Sequence, residues 1–179
     1  MRRVIYGCAM SLDGYIAGPS GEYDWIIIDP EIDFAEMTAR FDTYLMGRKT
    51  YEVMNRMAGG FSSDGIQSFV FSRTLKPEEH PKVTVSRDAE RVVAGLRAKP
   101  GKDIALYGGG ELFRSLLKAG LVDGVSISLI PVLLGGGIPL LPAPATRAAL
   151  KLRKQRLYEK TGTLSLEYDL DYSDAKLRR

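Results

Sequence analysis

The chain has 179 residues, 45% of them hydrophobic and 26% charged, which fits one globular domain large enough to bury a core. Its 25 Lys and Arg against 22 Asp and Glu leave a formal charge of only +3, and the basic residues are scattered rather than gathered in a stripe, which argues against a nucleic-acid partner. No apolar run reaches the ~18 residues of a membrane span, no secretory h-region opens the chain, and a single cysteine cannot form an internal disulfide, so no membrane partner and a cytoplasmic location are expected.

Residues 2–10, apolar and β-rich, read as a buried strand in which Cys8 is a buried thiol. A loop punctuated by Gly and Pro follows over 11–25. From Asp29 to Asp42, Ile32, Ala35, Ala39 and Phe41 recur at helical spacing and predict a helix. Residues 43–47 predict a short strand running into a short helix over 48–55, and 67–72 and 82–86 predict two more strands. Residues 87–99 read as a helix with Ser86 or Asp88 as N-cap and Val92, Val93 and Leu96 on one face.

Residues 102–110 form the next strand, and 111–120 a helix with Leu112, Leu116 and Leu117 inward and Gly120 as its stop. Residues 124–141 read as a strand plus a Gly/Pro loop, and 163–172 alternate strictly, as a half-exposed strand should. Strand–helix alternation implies parallel strands with helical crossovers, and the lack of a helical pattern between the last two strands implies an antiparallel finish. One α/β domain over 1–172 is expected, with 173–179 as a frayed basic tail containing Lys176, Arg178 and Arg179. His80 has no ligand partners at metal spacing, so no metal site is expected.

An open α/β sheet binds its ligand beyond the carboxyl ends of its strands. Those ends carry Ala9 and the loop Ser-Leu-Asp-Gly-Tyr-Ile-Ala-Gly, then Gly47-Arg48-Lys49-Thr50, then Ser72-Arg73-Thr74, and finally Gly108-Gly109-Gly110. Backbone nests, hydroxyls and two guanidinium groups on one edge suit a ligand with several phosphates. Gly108–Gly110 open a helix, where bare backbone lets an oxyanion approach free N–H groups. The run lacks the Gly-Lys-Ser/Thr ending of a P-loop and the spacing of a Rossmann fingerprint, so phosphoryl transfer from ATP is poorly supported.

Five stretches, Ala-Met-Ser-Leu-Asp-Gly-Tyr-Ile-Ala-Gly (9–18) with Trp25, Leu-Met-Gly-Arg-Lys-Thr-Tyr-Glu (45–52), Val-Phe-Ser-Arg-Thr (70–74), Tyr-Gly-Gly-Gly-Glu-Leu-Phe (107–113) and Pro-Val-Leu-Leu-Gly-Gly-Gly-Ile-Pro-Leu-Leu (131–141), occur in an order that resembles the dihydrofolate reductase-like superfamily. The closest branch is the one shared with the C-terminal reductase domain of bacterial riboflavin biosynthesis proteins. The resemblance implies an eight-stranded, mainly parallel sheet with helices on both faces and an antiparallel C-terminal strand. It also implies a homodimer and an NADPH-dependent reductase acting on a small planar heterocycle or carbonyl.

By that resemblance Ala9 and Ile16 present backbone groups to the nicotinamide carboxamide. Gly47, Arg48, Lys49 and Thr50 hold the pyrophosphate. Ser72 and Arg73 flank the adenosine 2′-phosphate, with Arg48 on its other side, and Gly108 and Gly109, joined by a cis peptide in the family, lead into Gly110, Glu111, Leu112 and Phe113 beside the cofactor. Trp25, Tyr107 and Ser128 face the substrate, with Trp25 and Phe113 either walling a planar ring or packing in the core.

Hydride transfer needs a proton supplied to the neighbouring atom, usually by a carboxyl group. Glu31 and Asp33, at the start of the first helix, and Asp13 in the Ser-x-Asp-Gly stretch are the candidates. Asp-Gly is equally a turn signal, and a helix N-terminus favours acids through its dipole alone. The place of the folate-gripping arginine holds Ile66, which argues against dihydrofolate, since an unpaired buried carboxylate costs several kcal/mol. Gly7 and Ile27 replace a lysine and a hydroxyl residue of the riboflavin branch, which puts its substrate in doubt too. The other reading is a non-catalytic nucleotide-binding protein that keeps the cofactor site.

Overall fold

In a computed structural model, residues 1–57 and 65–173 are described. The strands are β1 (Val4–Ser11), β2 (Tyr15–Ala17), β3 (Phe41–Gly47), β4 (Gln67–Phe71), β5 (Thr84–Ser86), β6 (Asp103–Leu106), β7 (Gly124–Ile130), β8 (Ile138–Pro139), β9 (Ala149–Tyr158) and β10 (Thr163–Asp171). The helices are α1 (Phe34–Thr38), α2 (Arg48–Arg56), α3 (Ala89–Arg97) and α4 (Gly110–Lys118). Eight strands form one sheet in the order β5-β4-β3-β6-β1-β7-β10-β9, while β2 and β8 pair separately. β5 to β7 run parallel, and β10 lies antiparallel to both β7 and β9. The single mainly parallel sheet with an antiparallel finish is as expected.

Strand periodicity sends alternate side chains to two cores. Val4, Tyr6, Leu45, Phe69, Ile104 and Leu106 meet Val93 and Leu96 of α3 and Phe113, Leu116 and Leu117 of α4. Ile5, Tyr44, Met46, Val70 and Ala105 meet Tyr51 of α2 on the opposite face. Helices thus cover both faces, and a strand buried on both sides reads as a continuous apolar run. The α3 N-cap is Asp88, which accepts from the Arg91 amide at 3.0 Å. Gly120 ends α4 with φ 69°, and Leu121 N–H reaches back to Leu116 O at 2.9 Å.

Two points differ from the sequence reading. The helix predicted over Asp29–Asp42 is only Phe34–Thr38. At its start Asp29 forms a turn, its carboxylate accepting from the Glu31 amide and its carbonyl from the Ile32 amide. At its end Arg40 O accepts from Asp103 N, drawing Phe41 into β3. A second difference is β9, a ten-residue edge strand that the sequence pass leaves blank. Its Lys151, Arg153, Lys154 and Arg156 are exposed, a common way to guard a sheet edge, and they mask the strand pattern. The apolar β7 lies between β1 and β10 with Val125, Ile127 and Ile130 buried in the core. The tail expected at 173–179 lies, from 174 onward, outside the described residues.

Candidate functional site

The carboxyl ends of β4, β3, β6, β1 and β7 are neighbours along one edge of the sheet. Gly47 closes β3 in register with Phe71 of β4, so Arg48 and Ser72 leave the sheet side by side. Gly47 N–H donates to Gly108 O at 2.7 Å, joining the start of α2 to the start of α4. The Gly108–Gly109 peptide is cis, as the resemblance implies.

Of the four helices among the described residues, α1 and α3 are capped by Asp33 and Asp88. α2 and α4 begin at Gly47 and Gly109 with no side-chain cap. Helix starts leave N–H groups unsatisfied and carry a positive dipole end, so two uncapped starts at one point form an anion cradle. A Cβ on Gly47 would lie 3.7 Å from Gly108 O and Gly109 N, and Thr50 Oγ1 stands 4.0 Å from where a Cβ on Gly108 or Gly109 would be. This bare, hydroxyl-flanked concavity fits a diphosphate. Gly110 serves packing instead, since a Cβ there would sit 2.8 Å from Pro142 and 2.9 Å from Pro139 O.

Half-buried Arg48 pairs with Glu52 one turn on at 2.7 Å, while Lys49 beside it in the first turn is exposed. Arg73 is exposed and has no ion pair among the described residues. Ser72 Oγ accepts from the Thr74 and Leu75 amides at 3.1 and 3.0 Å, which bends the chain so that Arg73 stands at the rim. Glu111 is exposed and pairs with Arg114, and Leu112 is partly buried. Phe113 is buried and stacks on Tyr6 at 4.0 Å between centroids, so its ring belongs to the core.

Beside the shelf the α2 face of the sheet opens. Gly7 pairs with Ser126 and Ala9 with Ser128, so all four positions share that face with Ile5. A Cβ on Gly7 would meet nothing nearer than Ser126 O at 4.0 Å. Tyr107 lies on the same face, edge-on to Tyr44 at 4.9 Å, and burial first, then Tyr44, pushes its phenol well above the usual value. α1 buries none of its residues, and its segment is tied to the β10 side at both ends. Asp29 accepts from Thr161 Oγ1 at 2.9 Å, and Arg40 donates to Glu167 at 3.1 Å. A cleft therefore separates α1 from a floor of small residues.

Loops close the end of this cleft. Ile16 lies in β2, which pairs with β8, and Leu12 N–H bonds Val132 O at 2.9 Å. Asp13 accepts from Ser11 Oγ at 2.6 Å, from Leu134 N at 3.1 Å and from Gly135 N at 2.8 Å. The Ser11 hydroxyl, with the Leu134 and Gly135 amides, holds the Asp13 carboxyl below its ordinary range against desolvation. Trp25 Nε1 donates to Glu22 O at 3.1 Å within the adjoining loop.

Each proton-donor candidate is thus engaged. Asp13 latches two loops, Asp33 caps α1 through the Glu36 amide at 2.9 Å, and Glu31 pairs with Lys160 and Arg156 at 3.2 and 3.5 Å. Sequence reasoning missed Asp29, which is only 1% exposed. Burial pushes its carboxyl up most strongly, but the Glu31 amide, the Thr161 hydroxyl and Lys160 together lower it. The signal lay in Asp-Pro, read as a helix start although the residue before proline avoids helical backbone. Among the described residues no group of three or more His, Cys, Asp or Glu could hold a metal ion, and no helix is long and apolar enough to cross a membrane.

Comparison with known proteins agrees with this architecture. The chain is 33% identical over 178 residues to the uncharacterized protein YyaP of Bacillus subtilis, covering 93% of this chain and 94% of that one. A putative riboflavin biosynthesis protein from Shewanella sp. PV-4 superposes with a TM-score of 0.79 at 28% identity, covering 94% of this chain and 99% of the other. Dihydrofolate reductase from Enterococcus faecalis, solved with NADP(H), superposes with a TM-score of 0.66 at 18% identity and 94% coverage of each chain, which shows a shared fold. The RibD C-terminal domain model matches residues 2–164, so the chain belongs to the RibD C-terminal domain family, with a dihydrofolate reductase-like fold.

Proposed function

We propose that the protein is an NADPH-dependent oxidoreductase that reduces a small planar heterocyclic or carbonyl compound. The observation that carries this reading is the meeting of two uncapped helix starts, joined through Gly47 N–H and Gly108 O. Arg48 and Arg73 at the rim supply the cations that a 2′-phosphate needs. When bound, NADPH would supply the hydride from its nicotinamide ring. The chain's own task is to orient and to exclude water. The shelf fixes the diphosphate, Ala9 and Ile16 border the nicotinamide position, and the loops latched by Asp13 shield it.

A second reading is favoured by one observation, the engagement of Asp13, Glu31 and Asp33 in structural bonds. A nucleotide-binding protein without catalysis would show that pattern. A thermal-shift comparison of NADPH, NADH and Mg-ATP, followed by NADPH oxidation with pterin, pyrimidine and quinone acceptors, separates the two. Stabilisation by NADPH with turnover supports the reductase, and stabilisation without turnover supports the binding protein. Stabilisation by Mg-ATP alone would reject the reductase and the NADPH site that both readings share. The expected homodimer and cytoplasmic location belong to the same proposal, and the mass in solution reads the first directly.

A further inference from the structure

The hairpin of β9 and β10 has two unlike faces. On the cleft side Lys151, Lys154 and Arg156 of β9 stand in register with the polar row Asp169, Glu167 and Ser165 of β10. On the α4 side Leu150, Leu152, Gln155 and Leu157 stand in register with Leu170, Tyr168, Leu166 and Leu164. β7 continues these rows inward, with Val125, Ile127 and Leu129 opposite Tyr168, Leu166 and Leu164.

The core on the α4 side ends at this margin. Val125 and Ile127 are buried in it, Leu129 and Leu170 pack at its edge, and no residue of β9 belongs to it. Leu150, Leu152 and Leu157 are accordingly 47%, 49% and 57% exposed, and Leu164, Leu166 and Tyr168 are half-buried. An antiparallel sheet leaves one face to water when that face is polar, but here the uncovered face is the apolar one. Strand spacings make it about 23 Å long from Leu150 to Leu157 and about 14 Å across three strands, roughly 300 Å² in plan. Apolar patches of that scale mark interaction sites. A standard interface takes about 800 Å² from each partner as an apolar centre with a polar rim, and this face has the dimensions of such a centre.

The chemistry of the face selects its occupant. An open sheet surface encloses little of a small ligand, which needs a concavity. Its rows hold no charged residue, and Arg153 at the bulge reaches Asp169 on the cleft side, so an anionic membrane or an acidic protein finds no counter-charge on it. A second copy brings an equally apolar face and meets no like charge. Gln155, with donor and acceptor on one amide, can pair with its own copy across a twofold axis.

We propose that the protein forms a twofold dimer in which two β9–β10 hairpins pack face to face through Leu150, Leu152, Leu157, Leu166 and Tyr168. The packing buries the exposed leucines and leaves both clefts open on the outer sides. It is therefore independent of the cofactor reading.

Sedimentation velocity of the full chain at 1 to 100 µM tests it. Wild type should sediment at twice the chain mass, and Leu152→Glu with Leu157→Glu at the chain mass with an unchanged far-UV circular dichroism spectrum. Lys151→Gln with Lys154→Gln, on the other face, should remain dimeric. A monomeric wild type at 100 µM, or a dimer that survives both leucine substitutions, would overturn the proposal. Maleimide labelling in a Cys8→Ala background gives a second readout that keeps the leucines. Gln155 and Lys154 are neighbours on opposite faces and both are exposed in the single chain. Gln155→Cys should label at least tenfold more slowly than Lys154→Cys, and equal rates would also overturn it.

Discussion

Replacing Gly47 with alanine separates the anion cradle from the fold. Gly47 has φ −79°, an ordinary backbone for any residue, and its added Cβ would lie at van der Waals distance, 3.7 Å, from Gly108 O and Gly109 N. Alanine is a poorer N-cap than glycine, so the stability cost is about 1 kcal/mol or less. That corresponds to a Tm drop of at most about 4 °C in a chain of this size. The methyl nevertheless stands over the peptide on which a phosphate would rest. Loss of one charge-assisted hydrogen bond, worth about 1.5–3 kcal/mol, weakens NADPH roughly 10- to 150-fold.

Gly110→Ala is the control. Its Cβ meets Pro139 O at 2.9 Å and Pro142 Cδ at 2.8 Å, an overpacking cost of about 1–3 kcal/mol in stability. Thermal melts and NADPH titration of both variants read the two effects. A Gly47→Ala protein that melts normally and binds NADPH as tightly as wild type would refute the cradle.

Asp13→Asn removes the carboxylate that latches Leu134 and Gly135, so hydrogen exchange at those two amides should quicken at least tenfold; unchanged exchange would show that the loops hold without it. Acid should destabilise the protein through Asp13, Asp29, Asp42 and Asp171, all lowered in the folded state. Because the unfolded chain then binds more protons, their stabilisation is complete above the unfolded value near 4 and fades as pH falls through the folded values. Tm should be flat from about pH 7 to 5 and fall below about pH 4, less steeply in Asp42→Asn. The buried Tyr6 hydroxyl has no partner among the described residues beyond the weakly bonding Cys8 thiol, so Tyr6→Phe should change stability by less than about 1 kcal/mol, as denaturant titration would measure.

What was legible in the sequence followed from backbone chemistry. Gly47, Gly108 and Gly109 stand out because glycine is costly inside regular elements and is placed where a backbone must lie bare. The central strands were visible as apolar runs because both their faces are buried. β9 was not, since its guard of Lys and Arg hides the alternation. The polar row of β10 was legible as a pattern but not in direction. Alternation alone does not say which face meets solvent, and the tie from Arg40 to Glu167 shows that this residue lies on the α1 side while Thr163 is buried. The acids are not separable by sequence for a related reason, because Asp33 as a cap and Asp13 in a turn carry the same residue type as a proton donor would.

Calorimetric titration of NADPH and NADH into wild type and into the Arg48→Ala, Arg73→Ala double variant addresses the central claim most directly. The account predicts micromolar NADPH binding, at least tenfold tighter than NADH, with that preference lost in the double variant. Absence of NADPH binding to the folded wild type, or a preference that survives loss of both arginines, would contradict it.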